Sequence, residues 1–168
     1  MHNFQPFDAT TLDINPFRIF EKDWGVLTAM AGGKVNAMTV SWGGMGVIWG
    51  KKVATIYVRE SRYTKELIDK SDVFSITFFD EKYRSMLKYL GAASGRDENK
   101  IKTAGMKVNL HKEIPFIDEG NFAIVCKKMA AVPMPKETFT DASIDEQFYA
   151  DGDYHTMYIG EIVEFLAR

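Results

Sequence analysis

Residues 51–59, KKVATIYVR, constrain the fold more than any other stretch of the chain. Their alternation puts Val53, Thr55, Tyr57 and Arg59 on one face of an extended strand and Ala54, Ile56 and Val58 on the other. A strand with one wholly apolar face must be covered on that side. The strand ends at an arginine, and the next residues, ESRYTKELIDKS, change period. Leu67 and Ile68 give a narrow apolar stripe at helical spacing, and Ser61 or Thr64 is placed to cap the helix start. Residues 73–79, VFSITFF, then return to β-branched and aromatic composition, so the order is strand, helix, strand.

The flanking segments extend this pattern. DWGVLTAMAGGKVNAMTVSW gives two β-like runs around Gly32 and Gly33, a pair able to adopt the positive φ angles of a tight hairpin. EKYRSMLKYLGAAS carries Tyr83, Met86, Leu87 and Leu90 at helical spacing, and RDENKIKTAGM reads as a short charged helix stopped by Gly105, with the loop ASGRD between them. NFAIVCKKMAAV and YHTMYIGEIVEFL are the last strands, separated by an acidic connection in which Pro133 and Pro135 forbid a central strand. About fifteen N-terminal residues, with Pro6 and Pro16, read as an arm lying on the body or on a partner subunit. Many strands joined by short turns, with few helices, predict a mainly β fold: an antiparallel barrel with peripheral helices.

Composition narrows the function classes. No low-complexity linker or fixed-period repeat interrupts the 168 residues, so residues 1–168 are expected to form a single domain. The apolar runs are shorter than the roughly 20 residues of a membrane-spanning helix. The N-terminal stretch lacks a basic start followed by an apolar run, so a cytoplasmic location and no membrane partner are expected. Cys126 is the only cysteine, which excludes an intrachain disulfide and a multi-cysteine metal site. Redox chemistry in such a chain has to come from a cofactor. A formal charge of -2 argues against nucleic acid, whose binding is dominated by charge neutralisation. An oligonucleotide-binding barrel using aromatic stacking platforms is a competing reading that this charge opposes.

Two clusters carry candidate chemistry. Arg59, Ser61, Arg62 and Thr64 bring two guanidinium groups and two hydroxyls to the start of a helix, where unpaired N–H groups and the positive end of the dipole favour an anion such as a phosphate monoester. Their bland reading is a capped surface helix with solvated arginines. In NAMTVSWGGMG, Ala37, Thr39 and Ser41 share one strand face and Asn36, Met38 and Val40 the other, so small residues let a flat ligand approach the backbone edge. Gly43, Gly44 and Gly46 fit neither nucleotide-binding glycine pattern and are assigned a turn. His155 begins the last strand and is a candidate acid, base or polar wall. The histidines show no metal-ligand spacing, and the carboxylates Asp80, Glu81 and Glu161 mark no catalytic pair.

NAMTVSWGGMGVIWGKKVATIYVRESRYTKELIDKSDVFSITFF resembles the N-terminal core of the flavin reductase-like, FMN-binding split-barrel family, the flavoredoxin type in particular. SGRDENK at residues 94–100 is similar to a loop of that family, and HTMYIGEIVEF resembles its final strand. The resemblance covers nearly all of the chain and departs at Asn99, where an aspartate is common. It implies a six-stranded split barrel and a homodimer with FMN in a cleft at the subunit interface. By position, Asn36, Ala37, Met38, Thr39, Ser41 and Trp42 would border the isoalloxazine and ribityl chain. Arg59, Ser61, Arg62, Tyr63 and Thr64 would take the phosphate, and Ser94, Gly95 and Arg96 with Lys100 would close over the flavin. His155 would stand near the face approached by a reductant. The implied activity is hydride transfer from NADH or NADPH to FMN and onward electron delivery to an unidentified acceptor. The alternative is an FMN-containing electron carrier reduced by a protein partner. The related pyridoxamine phosphate oxidases share the barrel type, but nothing in these residues favours a pyridoxal substrate.

Overall fold

The computed structural model describes residues 1–11 and 13–168. Its elements are, in chain order, β1 (Gln5–Phe7), α1 (Pro16–Arg18) continued by a π-helical turn (Ile19–Asp23), β2 (Gly25–Ala31), β3 (Lys34–Val40), β4 (Gly43–Ile48) and β5 (Lys51–Arg59). There follow α2 (Tyr63–Lys70), β6 (Val73–Phe78), α3 (Arg84–Ala92), α4 (Lys100–Thr103), the hairpin β7 (Val108–His111) and β8 (Ile114–Ile117), β9 (Phe122–Pro133), α5 (Ala142–Phe148) and β10 (His155–Ala167). One antiparallel sheet runs β3-β2-β6-β9-β10-β5-β4, with β1 added along the end of β10. It is mainly β and does not close, as in a split barrel.

The sheet has eight strands, two more than the family pattern implied. One is β1, the anchored part of the N-terminal arm. The other is β4, which corrects the turn assigned to Gly43, Gly44 and Gly46: all three lie in an extended strand paired with Ile56, Thr55 and Val53 of β5. A Cβ on Gly43 would lie 2.4 Å from the Phe20 ring and 2.7 Å from the Thr55 carbonyl oxygen, so close packing, and not a turn, calls for glycine there.

Strand order and connectivity locate the split. β3 and β4 are the two opposite edges of the sheet, yet only Ser41 and Trp42 join them. Three peptide steps span at most about 11 Å, so the sheet must curl until its edges nearly meet at this point. The concave side encloses the main core, in which Leu27, Met38, Val40, Ile56, Val58, Phe74, Ile76 and Ile124 meet Leu67 and Ile68 of α2. A second cluster on the convex side packs Ala37 and Val26 under Leu87 and Leu90 of α3. Asn36, Met38 and Val40 therefore face inward and Ala37 and Thr39 outward, the alternation expected of β3.

Gly32 and Gly33 turn the β2–β3 hairpin at φ +55° and +74°, and Gly105 ends α4 at φ +70°. Asn99 caps α4 by accepting from the Lys102 N–H, so the amide oxygen does what a carboxylate would do at that position. The β7–β8 hairpin had no counterpart in the sequence reading. It turns on Lys112 and Glu113, at φ +47° and +66°, without a glycine to announce it. Among the described residues no helix is long and apolar enough to cross a membrane.

β10 is the spine, pairing with β9, β5 and β1 and shifting register between Ile159 and Gly160 and again between Ile162 and Glu164. At Gly160 an added Cβ would lie 2.6 Å from the Phe74 ring and 2.8 Å from the Cys126 Cβ. Overpacking of this kind costs about 1–3 kcal/mol. Gly160→Ala is therefore expected to lower the unfolding free energy obtained from urea titration by that amount; an unchanged free energy would show that β10 relaxes freely at its register shift.

Candidate functional site

The seam between β3 and β4 opens into two adjoining cavities. One, of about 220 Å³, is lined by Met38, Thr39, Val40, Ser41, Trp42, Tyr57, Arg59, Arg62 and His155. The other, of about 170 Å³, is lined by Met38 and residues 61–64, 93–96 and 100. Met38 and Arg62 belong to both, so the two form a bent cleft with Arg62 at the elbow. β3 is an edge strand, and its backbone groups on the cleft side have no strand partner.

The start of α2 differs from the sequence expectation. Its N-cap is Arg62, and no side chain among the described residues caps it. Ser61, a predicted cap, is taken by Asp153: its N–H donates to Oδ1 at 3.0 Å and its hydroxyl to Oδ2 at 2.6 Å. Thr64, the other predicted cap, is buried and accepts from Asn36 Nδ2 at 2.8 Å. The first amides of the helix are left for whatever lies in front of them.

The cations around the cleft are unequally engaged. Arg59 donates to the carbonyl oxygens of Asp153 at 2.8 Å and Phe148 at 3.0 Å, lies 3.6 Å from the Asp151 carboxylate and packs over the Tyr149 ring. Arg96 donates to the Ser61 carbonyl oxygen at 2.9 Å and pairs with Glu66. Lys100 is 3% exposed and donates to the carbonyl oxygens of Leu90 at 2.8 Å and Ala93 at 3.0 Å, closing the C-terminus of α3. Burial, with Arg62 nearby, pushes its pKa down from 10.5 to about 8. Only the half-buried Arg62 guanidinium has no hydrogen-bond or ion-pair partner among the described residues.

At the other end of the cleft His155 pairs in register with Arg59 across β10 and β5. It is 8% exposed, lies 5.1 Å from the Trp42 ring and has Nδ1 2.7 Å from the Tyr149 hydroxyl. Burial, and then the adjacent Arg59, push its pKa from 6.5 down to about 4, so the imidazole is neutral at physiological pH.

Of the residues singled out from sequence, Met38, Thr39, Ser41, Trp42, Arg59, Ser61, Arg62, Tyr63, Thr64, Ser94, Gly95, Arg96, Lys100 and His155 all line one cavity or the other. Asn36 stands behind the cleft, where a Cβ on Gly95 would lie 2.2 Å from its Oδ1. Ala37 is buried on the opposite face under α3. Sequence reasoning missed Tyr57, which shares Arg59's strand face and was readable from the alternation. It also missed Asp153, Tyr149 and Phe148, which reach the site from a connecting segment with no pattern of its own.

Residues 17–168 match the family model described as flavin reductase like domain. The sequence has no match among curated proteins. Among solved structures, the fold is similar to a flavoredoxin from Methanosarcina acetivorans, with a TM-score of 0.69 at 21% identity over 87% of this chain and 68% of that one. It is also similar to an FMN-binding domain of a flavin reductases-like enzyme from Shewanella baltica OS155, with a TM-score of 0.71 at 17% identity over 98% and 77%. A flavoredoxin of Desulfovibrio vulgaris (Miyazaki F) gives a TM-score of 0.69 at 17% identity over 98% and 77%. At these identities the likeness is one of fold.

The Lys100 environment predicts a pH dependence. Because its folded pKa lies below that of an unfolded lysine, the unfolded chain holds more protons between about pH 8 and 10.5. The penalty for the buried charge is present in full below that window and is relieved as pH rises through it. The stability of the wild type relative to Lys100→Met should therefore increase from pH 8 to 10.5 in urea unfolding, and a flat difference would mean the ammonium is solvated.

Proposed function

Given that the chain belongs to the flavin reductase-like domain family, we propose that it is an FMN-binding oxidoreductase that takes hydride from NADH or NADPH and passes electrons to a second acceptor. The observation that carries this reading is Arg62, a guanidinium without a partner among the described residues, at the elbow of a cleft and beside a helix start that none of their side chains caps. Such a group is poised for an anion. The donor set fits a phosphate monoester: Arg62 and the first amides of α2 hold it, with Lys100 and the loop at residues 94–96 as the far wall. Residues 38–42, at an unpaired sheet edge, supply backbone groups and side chains for a flat ring. When bound, FMN supplies hydride and electron-transfer chemistry at that ring. The protein's part is to hold the phosphate, present the strand edge and keep a neutral His155 near Trp42.

Arg59 and Ser61 serve this site indirectly. Their donors are spent on residues 148–153, so they fix the wall, and Arg62 remains free to bind. A second reading is supported by the flavoredoxins among the similar structures: a permanently loaded electron carrier that only a protein partner reduces. A homodimer with the cleft completed at its interface is part of the proposal. Val47 and Trp49, at the end of edge strand β4, are 76% and 58% exposed and offer an apolar surface for such contact.

Two experiments test the reading. Arg62→Ala is expected to weaken FMN binding about 10- to 100-fold, the loss of one charge-assisted contact of about 1.5–3 kcal/mol. It should leave riboflavin binding unchanged and not lower the unfolding midpoint, because among the described residues the Arg62 side chain has no partner to lose and its charge opposes that of Lys100. Equal FMN affinity in wild type and variant would move the phosphate elsewhere. Under anaerobic conditions, NADH or NADPH should bleach the flavin absorption of the loaded protein, and more slowly in His155→Ala. Failure with both nucleotides would favour the carrier.

A further inference from the structure

A larger open cavity, of about 570 Å³, borders the cleft on the far side of Trp42 and shares Ser41, Trp42 and Tyr57 with it. Its size lies within the range of small-molecule sites. Besides the link at residues 41–43, the walls come from three places in the chain. Phe20 belongs to the turn after α1, Tyr57 to β5, and Phe139, Ile144 and Tyr149 to the segment between β9 and β10. The Phe139 and Tyr149 rings are already stacked, 5.3 Å apart at 8°, so part of the wall is a preformed aromatic surface.

Charge distinguishes this cavity from the cleft. Among the described residues its lining holds no lysine or arginine, and Glu21 is its one ionisable acid. Arg59, Arg62, Arg96 and Lys100 line the neighbouring cavities instead. A phosphate, carboxylate or sulfonate would enter without a partner in the lining, whose one carboxylate, Glu21, already holds Lys22 at 3.0 Å. Polar handles are nevertheless present: the Ser41 and Tyr57 side chains line the cavity and have no hydrogen-bond partner among the described residues. They can donate to a carbonyl oxygen while the apolar walls cover a ring.

We propose that this cavity is a second ligand site, built for an uncharged, planar carbonyl compound of one or two rings such as a quinone. Molecules of this class take up two electrons and two protons at their carbonyl oxygens, which makes the occupant the acceptor that the proposed function leaves unnamed. That role rests on the flavin reading; the binding does not.

The test uses the full chain with and without FMN and titrates 1,4-naphthoquinone and its 2-sulfonate by calorimetry. Cys126, the only thiol, is fully buried and its pKa is pushed up by that burial, so quinone addition to sulfur does not confuse the heat. The neutral quinone should bind with one site per chain and the sulfonate at least tenfold more weakly. Ile144→Glu, which adds a second carboxylate to the lining, should weaken the quinone at least tenfold while FMN affinity and the unfolding midpoint stay as in the wild type. Equal affinity for the two quinones, or quinone binding unaffected by Ile144→Glu, overturns the proposal. If FMN fails to bind while the quinone pattern holds, the flavin reading falls and the second site stands.

Discussion

The two-residue link between the opposite edges of the sheet is the constraint on which the rest of the structure depends. A seven-strand path that ends on β3 at one side and β4 at the other could lie open and flat. Because Ser41 and Trp42 alone connect these edges, the sheet has to roll, and its apolar concave face becomes a core without a second sheet to cover it. The edges approach but do not pair. Residues at the link therefore combine an unpaired backbone edge, partial exposure and rigid support, which few other places in a β protein offer together.

The same rolling brings the end of β5 and the start of α2 to the seam, and it explains how the site's charges are arranged. Several cations close together repel one another, and burial penalises each of them. The chain manages this by assigning most of them to its own acceptors: Arg59 to two carbonyl oxygens and Asp151, Arg96 to Glu66 and a carbonyl oxygen, Lys100 to the end of α3. These contacts hold three elements in place. They also leave the remaining positive charge concentrated on Arg62, which with Met38 lines both cavities.

What could be read from sequence follows from where each signal originates. β5 announces itself through period-two alternation, β6 and β10 through β-branched and aromatic residues, and the Gly32-Gly33 hairpin through backbone conformations that favour glycine. β4 carries no such signal, because its glycines are extended by pairing with β5, and Gly43 is selected by contact with Phe20. The β7–β8 turn is hidden for the converse reason, since Lys112 and Glu113 adopt positive φ without the usual residue types. At the site, proximity along the chain made the Arg59 to Thr64 cluster visible. The fate of its hydroxyls was not visible, because Asp153, 92 positions away from Ser61, competes for the cap. A local capping rule has no access to a partner supplied by topology.

The segment between β9 and β10 shows how such a distant partner can set chemistry and not only shape. Its aromatic residues are stacked on one another, Phe139 on Tyr149 and Tyr149 on Tyr154, and it is bound to the end of β5 through Arg59. Burial raises the pKa of the Tyr149 phenol, so it keeps its proton, while burial and Arg59 keep the His155 ring without its second proton down to about pH 4. A protonated phenol 2.7 Å from Nδ1 of a neutral imidazole has one favourable arrangement: the hydroxyl donates and Nδ1 accepts. The imidazole proton is thereby assigned to Nε2, and His155 becomes a neutral donor of fixed tautomer at the seam. Arg59 lines the cleft and also acts at a distance: it anchors the wall, the wall places Tyr149, and Tyr149 decides which nitrogen of His155 carries the hydrogen.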